Sequence, residues 1–248
     1  MLKIEALTVK GRLVNITCQA QAGQFVHVMG NNGSGKSSLL HAAAGLLAGQ
    51  SGLIQLLGQN LSQFSPGQLA KFRCLQEQHH PLVFGLTVAE ALDFFTRGQR
   101  LPSDLVNALD IAEFLQRPMQ SLSGGEHKRV EIARVLLQVW PALQAGNALI
   151  LLDEPTQGLD FKHQHALFRQ LQMFAEGGNV VIVSHHDLNL CQRYANVVWL
   201  MDKGRLVASL PALDALSDSQ LSQIFSCPIQ SFAHAHGHKI FQTYLEDR

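Results

Sequence analysis

Residues 30–37 of this chain read GNNGSGKS, which satisfies the pattern GxxxxGK[ST] at every required position. Residues 24–29 (QFVHVM) before them predict a strand, and residues 37–47 predict a helix. In that setting consecutive backbone N–H groups curl around one point, to which the helix N-terminus adds partial positive charge. The alternative, a glycine-rich turn that matches by chance, is disfavoured by this strand–loop–helix context. We therefore expect residues 30–37, the phosphate loop, to bind the phosphates of a nucleotide.

The residue types in the phosphate loop indicate separate tasks. Lys36 can reach the β- and γ-phosphates, and the Ser37 hydroxyl is placed to ligate Mg²⁺. The residues of this region that are expected to contact the nucleotide are Gly30, Asn31, Asn32, Gly33, Ser34, Gly35, Lys36, Ser37 and Ser38. The expected ligand is a nucleoside triphosphate with Mg²⁺.

A pair of acids follows the apolar residues 148–152 (ALILL). Continuous apolarity predicts a strand buried on both faces, and open α/β sheets bind ligands at the carboxyl ends of such strands. We expect Asp153 to hold the Mg²⁺ through water, and Glu154, which points differently, to polarise the attacking water. Acids are also common at solvated strand ends, so it is their combination with the phosphate loop that favours a catalytic role.

The order of the predicted elements indicates an α/β fold. Residues 2–9 and 13–20 read as short strands. Residues 179–184 read as a second fully buried strand, joined to the strand at 148–152 by a helix over 161–175, and this βαβ unit predicts a parallel sheet. From about Gln68 to Trp140 helical spacing dominates, which predicts a mostly helical insert.

Composition excludes several classes of protein. The 248 residues are 46% hydrophobic, and 19 basic side chains balance 19 acidic ones, so we expect a sizeable core and no nucleic-acid partner. The four cysteines have no CxxC spacing and indicate ordinary thiols in a reducing compartment. The N-terminus lacks a signal-peptide pattern, and no apolar run approaches the roughly 20 residues of a membrane span, so we expect a soluble cytoplasmic chain.

Residues 122–126 (LSGGE) precede an amphipathic helix predicted over about 127–139. Ser123, Gly124 and Gly125 at a helix start offer a hydroxyl, backbone N–H groups and the helix dipole to a second anion. A nucleotide has a single γ-phosphate, which the phosphate loop already holds, so this second site is better explained by a nucleotide on another copy of the chain. A well-capped helix is the alternative, and it explains the serine and glycines but not the whole set.

With these motifs the sequence resembles the ATP-binding subunits of ABC transporters over nearly its whole length. The family's motifs occur in order as the phosphate loop, a Q-loop glutamine at Gln78, the LSGGE signature at 122–126, the Walker B residues Asp153, Glu154 and Pro155, a D-loop at 158–160 and a switch histidine at 185–186. The resemblance implies ATP and Mg²⁺ as cofactors, catalytic roles for Glu154, His186 and Gln78, metal ligation by Ser37, Gln78 and Asp153, and nucleotide or interface contacts from Ser123, Gly124, Gly125, Glu126 and Asp160.

The resemblance also implies the ABC ATPase fold, a P-loop NTPase with a RecA-like parallel sheet, an N-terminal antiparallel β region and an inserted helical subdomain. We expect a single domain over residues 1–248. Its nucleotide-binding α/β core is expected at 1–76 and 141–215, the helical signature subdomain at 77–140, and a C-terminal helix and tail at 216–248.

The sequence departs from the family pattern at several positions. The family places the switch histidine immediately before an aspartate, so His186 is expected to be the switch, and His185 stands where Ser or Thr is usual. Asn31 replaces a frequent proline and Ser38 a frequent threonine. The aromatic residue that stacks on adenine, expected near residues 10–13, is missing. Arg12 could stack through its planar guanidinium, which predicts weak selectivity for the base.

The resemblance implies that two copies of the chain face head to tail and sandwich two ATP molecules. Transmembrane permease subunits are the implied partners, received by a groove around residues 78–96 with Leu82, Val83 and Phe84, and a periplasmic or surface substrate-binding protein would join indirectly. The subunit would lie on the cytoplasmic face of the inner membrane as a peripheral protein. Ordinary packing within the helical insert is the alternative for each of these apolar residues.

More remote resemblance indicates an importer, since a lone nucleotide-binding domain on its own chain is typical of bacterial importers. A lengthened link at 136–147 and the residues His163 and Gln164 after the D-loop resemble the vitamin B12 importers. Haem and ferric-siderophore importers share some of these features. A soluble ABC ATPase without a transport role and a P-loop kinase for a small molecule remain alternatives, although LSGGE has no role in a kinase.

The tail contains His234, His236 and His238 at alternating positions. On a strand these imidazoles would share one face, as metal ligands do. An exposed C-terminal hairpin is the favoured interpretation because no acid or cysteine ligand is close in sequence. We assign no transition metal to this tail.

Overall fold

The structure is a computed structural model, and it describes residues 1–77, 85–96, 100–234 and 239–244. Its strands are β1 (Leu2–Val9), β2 (Leu13–Ala20), β3 (Phe25–Met29), β4 (Ser51–Leu56), β5 (Gln59–Asn60), β6 (Arg73–Gln76), β7 (Leu149–Asp153), β8 (Val180–Ser184), β9 (Val197–Asp202), β10 (Arg205–Leu210), β11 (Ile229–Ala233) and β12 (Lys239–Thr243). Its α-helices are α1 (Lys36–Ala43), α2 (Pro66–Leu69), α3 (Val88–Thr96), α4 (Ser103–Ala108), α5 (Gly124–Gln138), α6 (Trp140–Gln144), α7 (Phe161–Glu176), α8 (Leu188–Tyr194) and α9 (Asp218–Phe225).

The first sheet is antiparallel, with strand order β2-β1-β4-β5. Strand β1 pairs with β2 on one side and with β4 on the other, so that Ile4 faces both Cys18 and Ile54. Apolar and polar residues alternate along β1, which buries Leu2 and Ile4 on one face and leaves Lys3 exposed. Strands β1 and β2 have the predicted bounds.

The second sheet has the order β10-β9-β3-β8-β7-β6. Strands β9, β3, β8, β7 and β6 are parallel, and β10 adds an antiparallel edge. All residues of β3, β7 and β8 are buried, and for β7 and β8 their apolar sequences predict this burial. The predicted parallel α/β sheet is therefore confirmed, and it brings the carboxyl ends of β3, β7 and β8 to one edge.

Strand β6 was absent from the prediction, which treated the chain after Gln68 as helical. Its four residues are too few to show a period of their own. They become a strand because they pair with β7, where Cys74 lies opposite Ile150. A long-range contact therefore overrides the local pattern.

Helices occupy most of the described residues between β6 and β7, and α5 is the longest of these helices. Its apolar side chains, among them Val130 and Ile132, are fully buried in a core that also contains Val88 from α3 and Phe168 from α7. Among the described residues, none of the helices has both the length and the apolarity needed to cross a bilayer.

Helix ends differ from the expected positions by a few residues. The helix predicted over 37–47 ends at Ala43, because Gly45 has a positive φ of 72° that turns the chain out of the helix. Helix α5 starts at Gly124 rather than near His127, because Ser123 caps it.

Candidate nucleotide-binding site

Strand β3 runs directly into the phosphate loop, and the loop opens α1. Gly30 has φ 146°, and a Cβ there would lie 2.2 Å from the carbonyl oxygen of Met201, so only glycine fits. Gly35 is the N-cap of α1 at φ 105°, in a conformation that side chains disfavour. The neighbouring strand β9 and the left-handed backbone therefore shape the loop around its glycines.

The Lys36 side chain folds back over the loop. Its Nζ donates hydrogen bonds to the carbonyl oxygens of Gly30, at 2.8 Å, and of Asn31, at 3.1 Å. Burial lowers the pKa of Lys36, and the nearby Glu154 and Asp153 carboxylates oppose that shift. The amine is thus held at the loop, facing the two acids, where a phosphate would be received.

The two acids follow β7 at the edge where β8 also ends. Asp153 lies opposite Ser184 in the parallel pair, and the Ser184 hydroxyl donates to its carboxylate. Glu154 has a positive φ of 47°, and its N–H donates to the carbonyl oxygen of Ser184 at 3.1 Å. This turn sends the two neighbouring carboxylates in different directions. The Nδ1 atom of His186, two residues beyond β8, lies 3.3 Å from the Glu154 carboxylate.

An open cleft of about 810 Å³ lies over these groups, which is within the usual size range of ligand sites. The residues that line it are Gly11, Arg12, Asn32, Gly33, Gly35, Lys36, Ser37, Ser38, Glu154, Thr156, Gln157, Gly158, Leu159, Gln164 and His186. It brings together Arg12, most of the phosphate loop, Glu154 and His186. Gly30, Asn31, Ser34 and Asp153 lie outside this lining.

Ser37 and Asp153 fit a magnesium ion by the chemistry of their donor atoms. Ser37 lines the cleft, and Asp153 is a carboxylate only 3% exposed. Mg²⁺ prefers such oxygen ligands and retains several waters. Over the residues that the structure describes, no cluster of three or more His, Cys, Asp or Glu side chains suits a metal.

The signature residues form a reciprocal cap on α5. Ser123 Oγ accepts from the N–H of Glu126 at 3.3 Å, and a Glu126 carboxylate oxygen accepts from the N–H of Ser123 at 2.7 Å. Arg117 also contacts Glu126, with its Nη1 2.9 Å from Oε1. The Ser123 N–H and the Arg117 guanidinium lower the pKa of Glu126 to about 2. The helix start is therefore held by its own residues, and the hydroxyl proton of Ser123 stays free to donate.

The start of α5 packs tightly against the loop after β7. A Cβ at Gly125 would lie 2.7 Å from the carbonyl oxygen of Gly158, whereas a Cβ at Gly124 would meet no atom within 4 Å. Gly158 lines the cleft, and none of residues 122–126 belongs to the described lining. The start of α5 thus contacts a residue of the cleft without itself lining the cleft.

Asp160 is the N-cap of α7 and lies next to the cleft residue Leu159. Its Oδ1 accepts from the N–H of His163 at 2.9 Å and lies 2.8 Å from that imidazole's Nδ1. The opposite ring nitrogen of His163 faces Asp110 at 3.4 Å. The side chain of Asp160 is 65% exposed, so it remains accessible to a second molecule.

Several predicted residues lie outside the described residues. They are Gln78, Leu82, Val83 and Phe84 near the predicted permease groove, and His236 and His238 in the tail.

The structure adds site residues that the sequence reasoning missed. Thr156, Gln157 and Gln164 line the cleft, and the Gln164 amide donates to the carbonyl oxygen of Leu159 at 3.0 Å, which holds that loop. Ser184 could have been found, because it ends the second buried strand beside the strand that carries Asp153. The buried pair His27 and His185 gave no sequence signal, since its members are 158 residues apart.

Comparison with known proteins gives consistent results. The family model described as ABC transporter matches residues 13–157. The vitamin B12 import ATP-binding protein BtuD of Vibrio atlanticus is 37% identical over 254 residues, which cover 99% of this chain and 99% of that protein. The hemin import ATP-binding protein HmuV of Mesorhizobium japonicum is 37% identical over 222 residues, which cover 85% of this chain and 84% of its own.

The fold has close structural counterparts. A dimeric ATP-binding cassette, MJ0796, in a post-hydrolysis state bound to ADP and Pi superposes with a TM-score of 0.72 at 23% identity. The match covers 85% of this chain and 98% of that one. At this identity the likeness concerns the fold, and it confirms the architecture that the sequence predicts.

Proposed function

This chain belongs to the ABC transporter family, as the ATPase subunit of an importer of the vitamin B12 and haem group, and from that premise we propose that it hydrolyses ATP as a homodimer to drive vitamin B12 uptake through a membrane permease. The observation that carries the hydrolytic part is the pair His186 and Glu154, 3.3 Å apart beside the phosphate loop. A glutamate held at this position can accept a proton from water that attacks the γ-phosphate.

We assign the phosphate loop to the β- and γ-phosphates, with Lys36 releasing its two carbonyl partners to contact them. Ser37 and Asp153 would hold Mg²⁺, together with Gln78. When bound, this ion neutralises charge that develops on the phosphates. His186 donates to the γ-phosphate and keeps Glu154 and the water in line. Because Glu154 is already fixed by its backbone bonds to Ser184, little rearrangement is needed at the moment of reaction.

The proposed dimer follows from where the signature lies. Residues 123–126 carry a capped helix N-terminus that does not open into the cleft of the same chain. In a head-to-tail pair, Ser123, Gly124, Gly125 and Glu126 would reach the γ-phosphate bound to the partner, and Asp160 would cross the interface. ATP then joins the two copies, and hydrolysis removes the shared group, so the pair opens.

The cargo assignment is supported by the vitamin B12 relative, which aligns over 99% of both chains. The hemin relative is equally identical over a shorter stretch, so haem import is the second candidate. The cargo does not touch this subunit, and the permease therefore decides between the two. Uptake of labelled vitamin B12 or haem into vesicles that contain the co-purified permease would distinguish them. Haem uptake alone would overturn the vitamin B12 assignment.

The remaining organisation follows from the same proposal. The α/β core would consist of residues 1–76 and 141–215, the helical signature subdomain of 77–140, and a C-terminal appendix of 216–248. The segment around residues 78–96 would receive the permease, and a substrate-binding protein would join on the far side of the membrane. The subunit would therefore lie on the cytoplasmic face of the inner membrane as a peripheral protein.

A Glu154→Gln variant tests the hydrolytic mechanism. We expect ATP binding to persist, kcat to fall by about 100-fold or more, and an ATP-bound dimer to accumulate, because the amide cannot accept the proton. Phosphate release and analytical ultracentrifugation measure these effects. The exposed Glu113→Gln, placed in the helical region, is the control and should behave as wild type. Normal turnover by the Glu154 variant would contradict the assignment of this base.

A Ser123→Ala variant tests whether the composite site forms. We expect ATP-dependent dimerisation and turnover to weaken together, because the hydroxyl would act on the partner's nucleotide. A permanently monomeric preparation that hydrolyses ATP at full rate would contradict the sandwich. In the proposed dimer each site combines Glu154 of one chain with Ser123 of the other. Mixing Ser123→Ala with Glu154→Gln should therefore give mixed dimers with one intact site. Activity above that of either variant alone would support the head-to-tail arrangement.

A further inference from the structure

Two imidazoles outside the nucleotide cleft form a buried pair directly behind it. His27 lies on β3, three residues before Gly30, and His185 follows β8, immediately before His186. Both rings are completely buried, and Nε2 of His185 lies 2.8 Å from Nδ1 of His27. Hydrophobic rings surround the pair, with Phe168 centred 5.4 Å from each imidazole.

The surroundings keep both rings neutral. Burial lowers the pKa of His185 to about 3, with the charges of His186 and Lys36 adding to the effect. Burial lowers the pKa of His27 as well, and His185 contributes. Across the described residues, neither ring takes part in an ion pair. At neutral pH each imidazole therefore carries one proton and can both donate and accept one hydrogen bond.

The backbone fixes the place of those protons. The N–H of Asp187 donates to Nδ1 of His185 at 3.2 Å, so this nitrogen carries no proton. The proton of His185 must then be on Nε2, which donates to Nδ1 of His27. The proton of His27 is consequently on its own Nε2, a buried atom with no hydrogen-bond partner among the described residues, so the chain of donations ends there. The donations run in one direction, from Asp187 through His185 to His27.

This chain of hydrogen bonds shapes the turn that carries His186. The N–H of His185 donates to the carbonyl oxygen of Val28 at 3.3 Å. Two residues later, the N–H of Asp187 donates back to the His185 ring. His186 is the residue between these two anchors. Its own side chain is 75% exposed, and its ion-pair contact is with Glu154. The buried imidazole of His185 thus holds the turn that orients the exposed imidazole of His186.

We propose that His185, braced by His27, is a positioning residue that holds His186 at Glu154 and at the γ-phosphate. This inference rests on the proposed function of His186. A serine or threonine at position 185 could not span the distance to His27, whose Nδ1 would lose its partner inside the protein. The pair also joins the strand that enters the phosphate loop to the turn that carries His186.

Two substitutions separate the two hydrogen bonds of His185. Asparagine places an acceptor where Nδ1 stood, so His185→Asn keeps the bond from Asp187 and loses the one to His27. Glutamine places a donor where Nε2 stood, so His185→Gln keeps the bond to His27 and loses the one from Asp187. We expect kcat for ATP hydrolysis to fall about tenfold in His185→Gln, which loses the bond that closes the turn, and about threefold in His185→Asn, which loses only the brace from His27. The KM for ATP should be unchanged in both.

The decisive measurement is a double-mutant cycle with His186→Ala. If His185 acts through His186, His185→Gln lowers kcat much less in the His186→Ala background than in the wild-type background. Equal fold-losses in both backgrounds would overturn the proposal, as would equal losses in the asparagine and glutamine variants. His165→Gln is the matched control, since His165 contacts Tyr194 at 3.0 Å and should leave kcat within about twofold.

A spectroscopic test covers the case in which the variants fold poorly. In wild-type protein labelled with ¹⁵N-histidine, two imidazoles should stay neutral from pH 5.5 to 8 with protons on Nε2. A His185 ring protonated on Nδ1, or one that titrates in this range, would overturn the proposal. Failure of the proposed function is separable, because it would appear as wild-type protein without ATP hydrolysis or as full turnover by Glu154→Gln.

Discussion

The Nδ1 atom of His186 lies 3.3 Å from Oε2 of Glu154. Strands β7 and β8 are parallel neighbours in which Asp153 lies opposite Ser184. Glu154 follows the end of β7, and His186 lies two residues beyond the end of β8. The sheet therefore sets their distance. The Glu154 side chain is only 14% exposed, whereas that of His186 is 75% exposed to the cleft. The fold itself thus brings the proposed base and its partner together.

The contact between Gly125 and Gly158 leads to a stability prediction. We expect Gly125→Ala to lower the free energy of unfolding by about 1–3 kcal/mol, because its Cβ would lie 2.7 Å from the backbone oxygen of Gly158. Gly124→Ala, with open space around its Cβ, should change it by less than about 0.5 kcal/mol. Urea unfolding of both variants measures the difference. Equal stability of the two variants would show that the start of α5 and the loop after β7 can move apart without lowering the free energy of unfolding.

The Glu126 cap leads to a prediction about pH. The pKa of Glu126 is lowered to about 2 in the folded chain from an ordinary 4.5, so the ionised form stabilises the native state. This contribution is complete above pH 4.5 and disappears as the pH falls toward 2. We expect Glu126→Gln to be less stable than wild type at pH 7, with the gap narrowing between pH 4.5 and 3. Urea titrations at each pH measure the gap, and a constant gap would contradict the role of the charge.

Asn31 links the phosphate loop to the C-terminal helix α9. Its Nδ2 donates to the carbonyl oxygen of Ile224 at 3.0 Å and approaches Ser226 Oγ at 3.4 Å. We expect Asn31→Ala to speed amide exchange in α9 about fivefold, because one hydrogen bond of about 1 kcal/mol is lost. Asn32→Ala, at the neighbouring exposed position, is the control for changes in the loop itself. Unaltered exchange in α9 would mean that this contact does not support the helix.

The residues that line the cleft lead to a prediction about selectivity for the nucleotide base. Over the described lining, no Phe, Tyr or Trp is present, and Arg12 occupies the region expected to stack on adenine. Stacking of an exposed guanidinium on the base contributes about 0.5–1 kcal/mol to the free energy of nucleotide binding and hardly distinguishes adenine from guanine. The KM for GTP should therefore lie within about fivefold of the KM for ATP. Arg12→Tyr should bind both nucleotides more tightly. A strong preference of the wild type for ATP would contradict stacking by Arg12.

The local motifs could be predicted because their chemistry is contiguous. The phosphate loop, the capped start of α5 and the acids after β7 each depend on neighbouring residues whose dihedral preferences and hydrogen bonds act over a few positions. Continuous apolarity likewise identified β7 and β8. Strand β6 was missed because its identity comes from pairing with β7.

The sequence by itself determined that this chain binds a triphosphate and has an α/β fold of the ABC family, because those properties depend on motifs of a few neighbouring residues. Tertiary structure alone decided that Gly125 packs on Gly158, that Asn31 contacts α9, and that His185 and His27 pair 158 residues apart. The physical reason is that such contacts depend on how sheets and helices pack. Burial and hydrogen bonding then select partners that no local pattern specifies.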